Sequence, residues 1–174
     1  MKTKQLLLII GLAVSFMTIN ACGSKQTQTN SKEQSIAACC DKINGLYDKM
    51  KEEAEAFYPN TNMKVRNSEG DLYGLFNYYP TASVALTEAI NHGSMIMDYL
   101  APIKREENVL TCIQKIDGEC YHIENYCSKG IKELETGGQY ISASMKSNWI
   151  SILNRIKNYS AEIREQVQLI RDLQ

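Results

Sequence analysis

WISILNRIKNYSAEIREQVQLIRDL, Trp149 to Leu173, carries the pattern that decides the fold. Trp149, Leu153, Ile156, Ser160, Ile163, Val167 and Ile170 recur at alternating steps of four and three. That spacing keeps them on one side of an α-helix. Ile152, Tyr159 and Leu173 add a second row and widen the stripe. A wide stripe suits a helix packed among several others, whereas a two-stranded coil needs a narrower seam. The far end of this helix has an alternative use, pairing with a helix of a partner protein. Thr136-Gly137-Gly138 stops the preceding element, so this fourth helix is expected from about 139 to 173.

Working towards the N-terminus, Val109, Ile113, Ile116, Cys120, Ile123, Cys127 and Leu134 repeat at helical spacing. They predict a third helix from Arg105 or Glu106. The phase continues across Asp117-Gly118, which favours one helix over a hairpin. Leu86, Ala89, Ile90, Gly93, Ile96, Met97 and Leu100 predict a second helix. It starts after Pro80 with Thr81 or Ser83 as cap, and Pro102 kinks or stops it. A first helix starts at Ser31, with Gln34 completing a capping box, and ends at Pro59. Its stripe is Ile36, Cys39, Cys40, Ile43, Leu46, Tyr47, Met50, Ala54 and Phe57. Short connections between later helices favour antiparallel neighbours. The expectation is an all-α protein, an up-and-down bundle of about four helices.

Between helices one and two, Tyr58 to Pro80 is rich in turn residues and carries Tyr58, Tyr73, Phe76, Tyr78 and Tyr79. A loop of this length is often functional in a compact domain. Tyr73, Phe76, Tyr78 and Tyr79 are the candidate partner-binding residues, because aromatic rings combine contact area with, in tyrosine, a polar tip. The alternative is that these rings cap the bundle core.

The chain opens on Met1-Lys2-Thr3-Lys4, followed by an apolar run from Leu6 to Ile19. That run is shorter than the roughly 20 residues a membrane span needs. A basic start, a short apolar core and small residues at its end describe a secretory signal peptide. Ile19-Asn20-Ala21-Cys22 resembles the lipobox of bacterial lipoproteins. The resemblance implies cleavage after residue 21 and a covalent lipid on Cys22. It also divides the chain into a signal peptide (1–21), a polar flexible tether (22–31) and a helical domain (32–174). Gly23 is not the Asp that retains many lipoproteins at the inner membrane. By the same resemblance the protein is expected at the outer membrane, facing the periplasm.

Lys2 and Lys4 leave with the leader, so 17 basic side chains face 20 acidic ones. That balance offers phosphates no attracting field, and nucleic acid is not an expected partner. The cysteines beyond Cys22 are Cys39, Cys40, Cys112, Cys120 and Cys127. Export to an oxidising space makes them candidate disulfide residues. Cys120 and Cys127 lie two turns apart on one helix, about 10 Å along its axis, too far for a mutual bond. A bridge from Cys39 or Cys40 to one of the other three is therefore expected.

No Cys-x-x-Cys pair supports a metal, and no haem-attachment run occurs. Glu119-Cys120-Tyr121-His122 supplies one Glu-x-x-His, where a carboxylate di-iron bundle needs two. Glu88 and His92 are four apart and do not supply the second. No phosphate loop, Gly-x-Ser-x-Gly or His-Glu-x-x-His is present. No catalytic residue, metal or cofactor other than the lipid is expected. What remains is a lipid-anchored, non-catalytic structural or interaction subunit of an envelope assembly, of the secretion or conjugation type. A ligand- or glycan-binding lipoprotein and an immunity or inhibitor lipoprotein are the alternatives.

Overall fold

The computed structural model describes residues 23–66, 69–137 and 140–174. The leader (1–21) and Cys22 lie outside the described residues. Four long helices pack against one another in an all-α protein: α1 (Gly23–Phe57), α2 (Pro80–Lys104), α3 (Val109–Thr136) and α4 (Ala143–Asp172). The tertiary contacts described below belong to the compact unit Ile36–Gln174.

The stripes form the core. Ile36, Cys40, Ile43, Met50 and Phe57 of α1 are buried, as are Leu86, Ala89 and Ile96 of α2. All seven residues of the α3 stripe are buried, and so is the whole α4 row from Trp149 to Ile170. Val167 and Ile170 are buried, so this row faces the core as far as the end of α4. Asp117-Gly118 does not interrupt α3. Gly118 faces open space, so it costs only its own low helix propensity.

Several boundaries differ from expectation. The helix α1 starts at Gly23, not Ser31, so residues 23–30, expected as a tether, have helical backbone. No proline interrupts the segment, and each added residue of a nucleated helix gains a hydrogen bond. Pro102 sits inside α2, which ends two residues later at Lys104. A turn with Asn108 in the left-handed region (φ 50°) then leads to α3, which starts at Val109, later than expected. Neither Thr81 nor Ser83 caps α2. Glu133 of α3 does so instead, accepting the Ala82 backbone N–H at 2.8 Å. A carboxylate there satisfies an orphan donor and complements the positive end of the helix dipole. Ser142 caps α4, accepting from Met145 N at 3.1 Å.

Close contacts set which helix faces which. Arg155 of α4 forks onto both carboxylate oxygens of Glu53 in α1, at 2.6 and 2.7 Å. Lys104, at the end of α2, reaches Asp41 near the start of the unit at 2.6 Å. Asp117 of α3 accepts from Arg171 of α4 at 2.7 Å. Gly130 lets α3 lie against α2: a Cβ there would stand 2.9 Å from the Ala82 Cα and 3.2 Å from Leu153 Cδ1.

Replacing Gly130 by Ala must move backbone, at a cost of about 1–3 kcal/mol. That exceeds the roughly 1 kcal/mol gained in helix propensity. Urea unfolding should therefore show Gly130→Ala less stable than the wild type. Gly118→Ala, with nothing to strike, should be more stable by up to about 1 kcal/mol.

Candidate functional site

The segment joining α1 to α2 is not a loose loop. A 3-10 turn (Tyr58–Asn62) leads into β1 (Lys64–Arg66), which pairs antiparallel with β2 (Leu72–Gly74). Val65 lies opposite Tyr73 in that register. One helical turn, Leu75–Tyr78, then leads to Pro80. Leu75 N donates to Met63 O at 2.8 Å and closes the ribbon at its base. Val65 and Tyr73, at the centres of the two strands, favour extended backbone here, a signal that the density of turn residues obscured.

Two residues pin this segment to the bundle. Leu75 and Tyr79 are fully buried. The Tyr79 ring meets Trp149 edge-on at 5.9 Å, and Phe57 packs on the same indole at 5.1 Å. Gly137, just past α3, passes beneath Tyr79. A Cβ at that glycine would meet the ring at 2.9 Å. The end of α1, the start of α2, the end of α3 and the start of α4 therefore converge here.

The four candidate contact residues separate. Tyr79 belongs to the core and is unavailable to a partner, which corrects its assignment. Tyr78 is half-buried and stacks on Tyr140 at 4.0 Å, with Tyr73 edge-on to it at 5.9 Å. Tyr73 (42 % exposed) and Phe76 (49 %) face solvent. Tyr58, Met63 and Tyr140 are exposed as well. Tyr140 was missed because it sits in the α3–α4 connection, far away in sequence.

A second constellation lies between α2 and α3. The Nδ1 of His92 is 2.6 Å from Glu119 Oε2, and its Nε2 is 3.3 Å from Glu88 Oε2. His122 stacks on His92 with ring centroids 5.0 Å apart. The spacings of four and three along facing helices could have revealed this meeting. Among the described residues no group of three or more His, Cys, Asp or Glu is arranged to hold a metal ion. The cluster acts as a polar seam joining the two helices.

The expected disulfide is not formed: Cys39, Cys40, Cys112, Cys120 and Cys127 are free thiols. Cys120 faces α4, where Ser160 donates to its carbonyl at 3.1 Å, and Cys127 feels Lys157 of the same helix. Cys40 senses Lys104 of α2. The helical phase thus sends these thiols into different interfaces. Burial pushes the Cys120 and Cys127 thiols up to about 12 and Cys40 up to about 11. Such thiols are poor nucleophiles, because reaction requires the thiolate.

No family model, curated protein or solved structure matches this chain.

Truncating Tyr79 to Ala removes a buried ring and should cost about 3–5 kcal/mol in urea unfolding. Phe76→Ala, on the surface, should stay within about 0.5 kcal/mol of wild type. Iodoacetamide applied to the native protein at pH 8 should label half-buried Cys39 first, and Cys120 and Cys127 only after unfolding. The same burial sets a pH dependence. Unfolded thiols lose their protons near 9.0, whereas folded Cys120 and Cys127 keep theirs to about 12. Unfolding therefore releases protons above pH 9. Stability should be unaffected by these groups below pH 9 and should fall as pH rises towards 12.

Proposed function

We propose that this chain is the precursor of an envelope lipoprotein that holds an up-and-down four-helix bundle to a membrane and presents one aromatic end to a protein partner. Acylation of Cys22 supplies the anchor, and the mature protein faces the periplasm from the outer membrane. Its work is non-catalytic: it fixes a docking surface within an envelope assembly of the secretion or conjugation type.

The observation that carries this reading is the group of exposed rings, Tyr58, Tyr73, Phe76 and Tyr140, at one end of the unit. The chain comes into the unit at Ile36, about 30 Å along α1 from Phe57 at 1.5 Å per residue. In this reading the lipid is attached through the preceding residues, and the exposed rings are open to a partner. Among the described residues no helix is long and apolar enough to cross a membrane; this reading assigns attachment to the lipid. Two or three acyl chains suffice, at ~0.8 kcal/mol per buried methylene.

The ligand- or glycan-binding reading also has an observation in its favour. Glu55, Tyr58, Pro59, Thr87, Ile90 and Asn91 line a cleft of about 310 Å³ beside the exposed rings. Aromatic and apolar walls facing a carboxylate and a carboxamide suit a small amphipathic ring.

Metabolic labelling with an alkyne fatty acid should mark the wild type and leave Cys22→Ser unlabelled and released from membranes. A photo-crosslinking amino acid at position 76 should trap one envelope protein in fixed stoichiometry. Tyr73→Ala with Phe76→Ala should weaken that capture at least ~tenfold while the thermal midpoint holds, since exposed anchors contribute about 1–2 kcal/mol each. Unaltered capture would remove the aromatic end from the interface. A small ligand retained in native mass spectra, without a protein partner, would favour the cleft.

A further inference from the structure

We infer that the outer edge of β1 takes an extended segment of the partner as a third strand, and that this segment alternates acidic and apolar residues. The inference rests on the reading that the aromatic end is the docking surface, and it names the partner's chemistry.

Among the described residues the sheet contains two strands, in the order β1-β2. Each strand therefore has an edge with no other strand beside it. Such an edge offers backbone N–H and C=O groups in a row, a template for a further chain. A two-stranded ribbon alone is marginal in water. This one is held ready: Leu75 N bonds Met63 O at its base, and Val65 packs on the core. A template ordered before binding lowers the entropy lost on association. Strand addition to an exposed edge is a recurrent mode of peptide capture.

Charge selects the edge and the occupant. Lys64 and Arg66 are both exposed and, two residues apart, share one face of β1. The second strand, Leu72-Tyr73-Gly74, carries no charge. The acids nearest in sequence, Glu69 and Asp71, lie in the connection outside both strands. A strand laid along β1 would place carboxylates at alternate positions beside Lys64 and Arg66. Its intervening side chains would fall on the Val65–Tyr73 face. Arg66 donates to the Gly70 carbonyl in the β1–β2 connection at 2.6 Å, which holds its guanidinium at the turn end of the ribbon. Exposed Met63 and Phe76 flank the ribbon and favour apolar rather than small polar neighbours.

The test uses the full chain in detergent and three synthetic hexapeptides. One alternates glutamate and valine, one alternates lysine and valine, and one is the acidic peptide with alternate backbone amides methylated. The acidic peptide should bind, measured by fluorescence anisotropy, and should slow amide exchange within 64–66 by ~tenfold or more. Lys64→Glu with Arg66→Glu should reduce its affinity at least ~tenfold without lowering the thermal midpoint. The basic and methylated peptides should not bind. Three results overturn the proposal: no binding by the acidic peptide, equal binding by the methylated one, or binding that leaves exchange in 64–66 unchanged. The last two would mean side-chain contact without strand addition, and the first would leave Lys64 and Arg66 as protection against edge association. Crosslinking at position 76 separates the two levels. If it persists in the Lys64→Glu, Arg66→Glu variant, the strand edge is wrong and the docking surface stands. If it is absent from the wild type, the surface itself is wrong.

Discussion

Trp149 lies between Phe57 and Tyr79, wholly removed from water, and the placement of each ring at that end of the molecule follows from this contact. Phe57 is the last residue of α1, and Tyr79 is the last before α2. Joining both to the start of α4 fixes where the intervening segment must begin and end. Burying three large aromatics offsets part of the conformational entropy of ordering that segment, because each buries far more apolar area than a typical core residue. With its two ends pinned, the ribbon and the turn Leu75–Tyr78 have few ways to run. Tyr73 and Phe76 are turned outward as Leu75 and Tyr79 turn inward.

The polar contacts between helices play a smaller part, and their sizes can be ranked. The pair Lys104–Asp41 is well exposed, so water and salt screen it to a fraction of a kcal/mol. Arg155 on Glu53 is bidentate and partly sheltered, which gives it more geometric specificity. The Glu133 carboxylate on the α2 N-terminus stands apart. It meets an obligatory backbone donor, and a helix start left without that partner would cost about 1–2 kcal/mol. It also ties the end of α3 to the start of α2, the two ends nearest the aromatic contact. The His92–Glu119 seam acts similarly further along the same pair of helices. Apolar packing sets stability, and these polar contacts restrict register.

The thiols illustrate why spacing alone misleads about pairing. Cys40, Cys120 and Cys127 each continue an apolar stripe, and as small apolar side chains they pack like their neighbours. A stripe says that a residue is inside. It does not say which of three neighbouring helices it faces. Cys120 and Cys127 turn towards α4 and Cys40 senses α2, and the bridge anticipated between α1 and α3 is not formed. The candidate contact rings failed in part for the same reason. One residue, Tyr79, differs from its neighbour Tyr78 only in which side of the chain it occupies, and that follows from Pro80 and the course of α2.

Periodicity alone determined the four helices, most of the residues they bury and the continuity of α3 across Gly118, because a repeat of three and four is a local property of the chain. The turn residues of 58–80 are local in the same way. The cap supplied by Glu133, the meeting of His92 with Glu119, the stacking of Tyr140 on Tyr78 and the inward course of Tyr79 were decided only in three dimensions. Each joins residues on different elements. Whether two such residues meet depends on the rotation and pairing of whole helices, which side-chain packing settles and no single segment encodes.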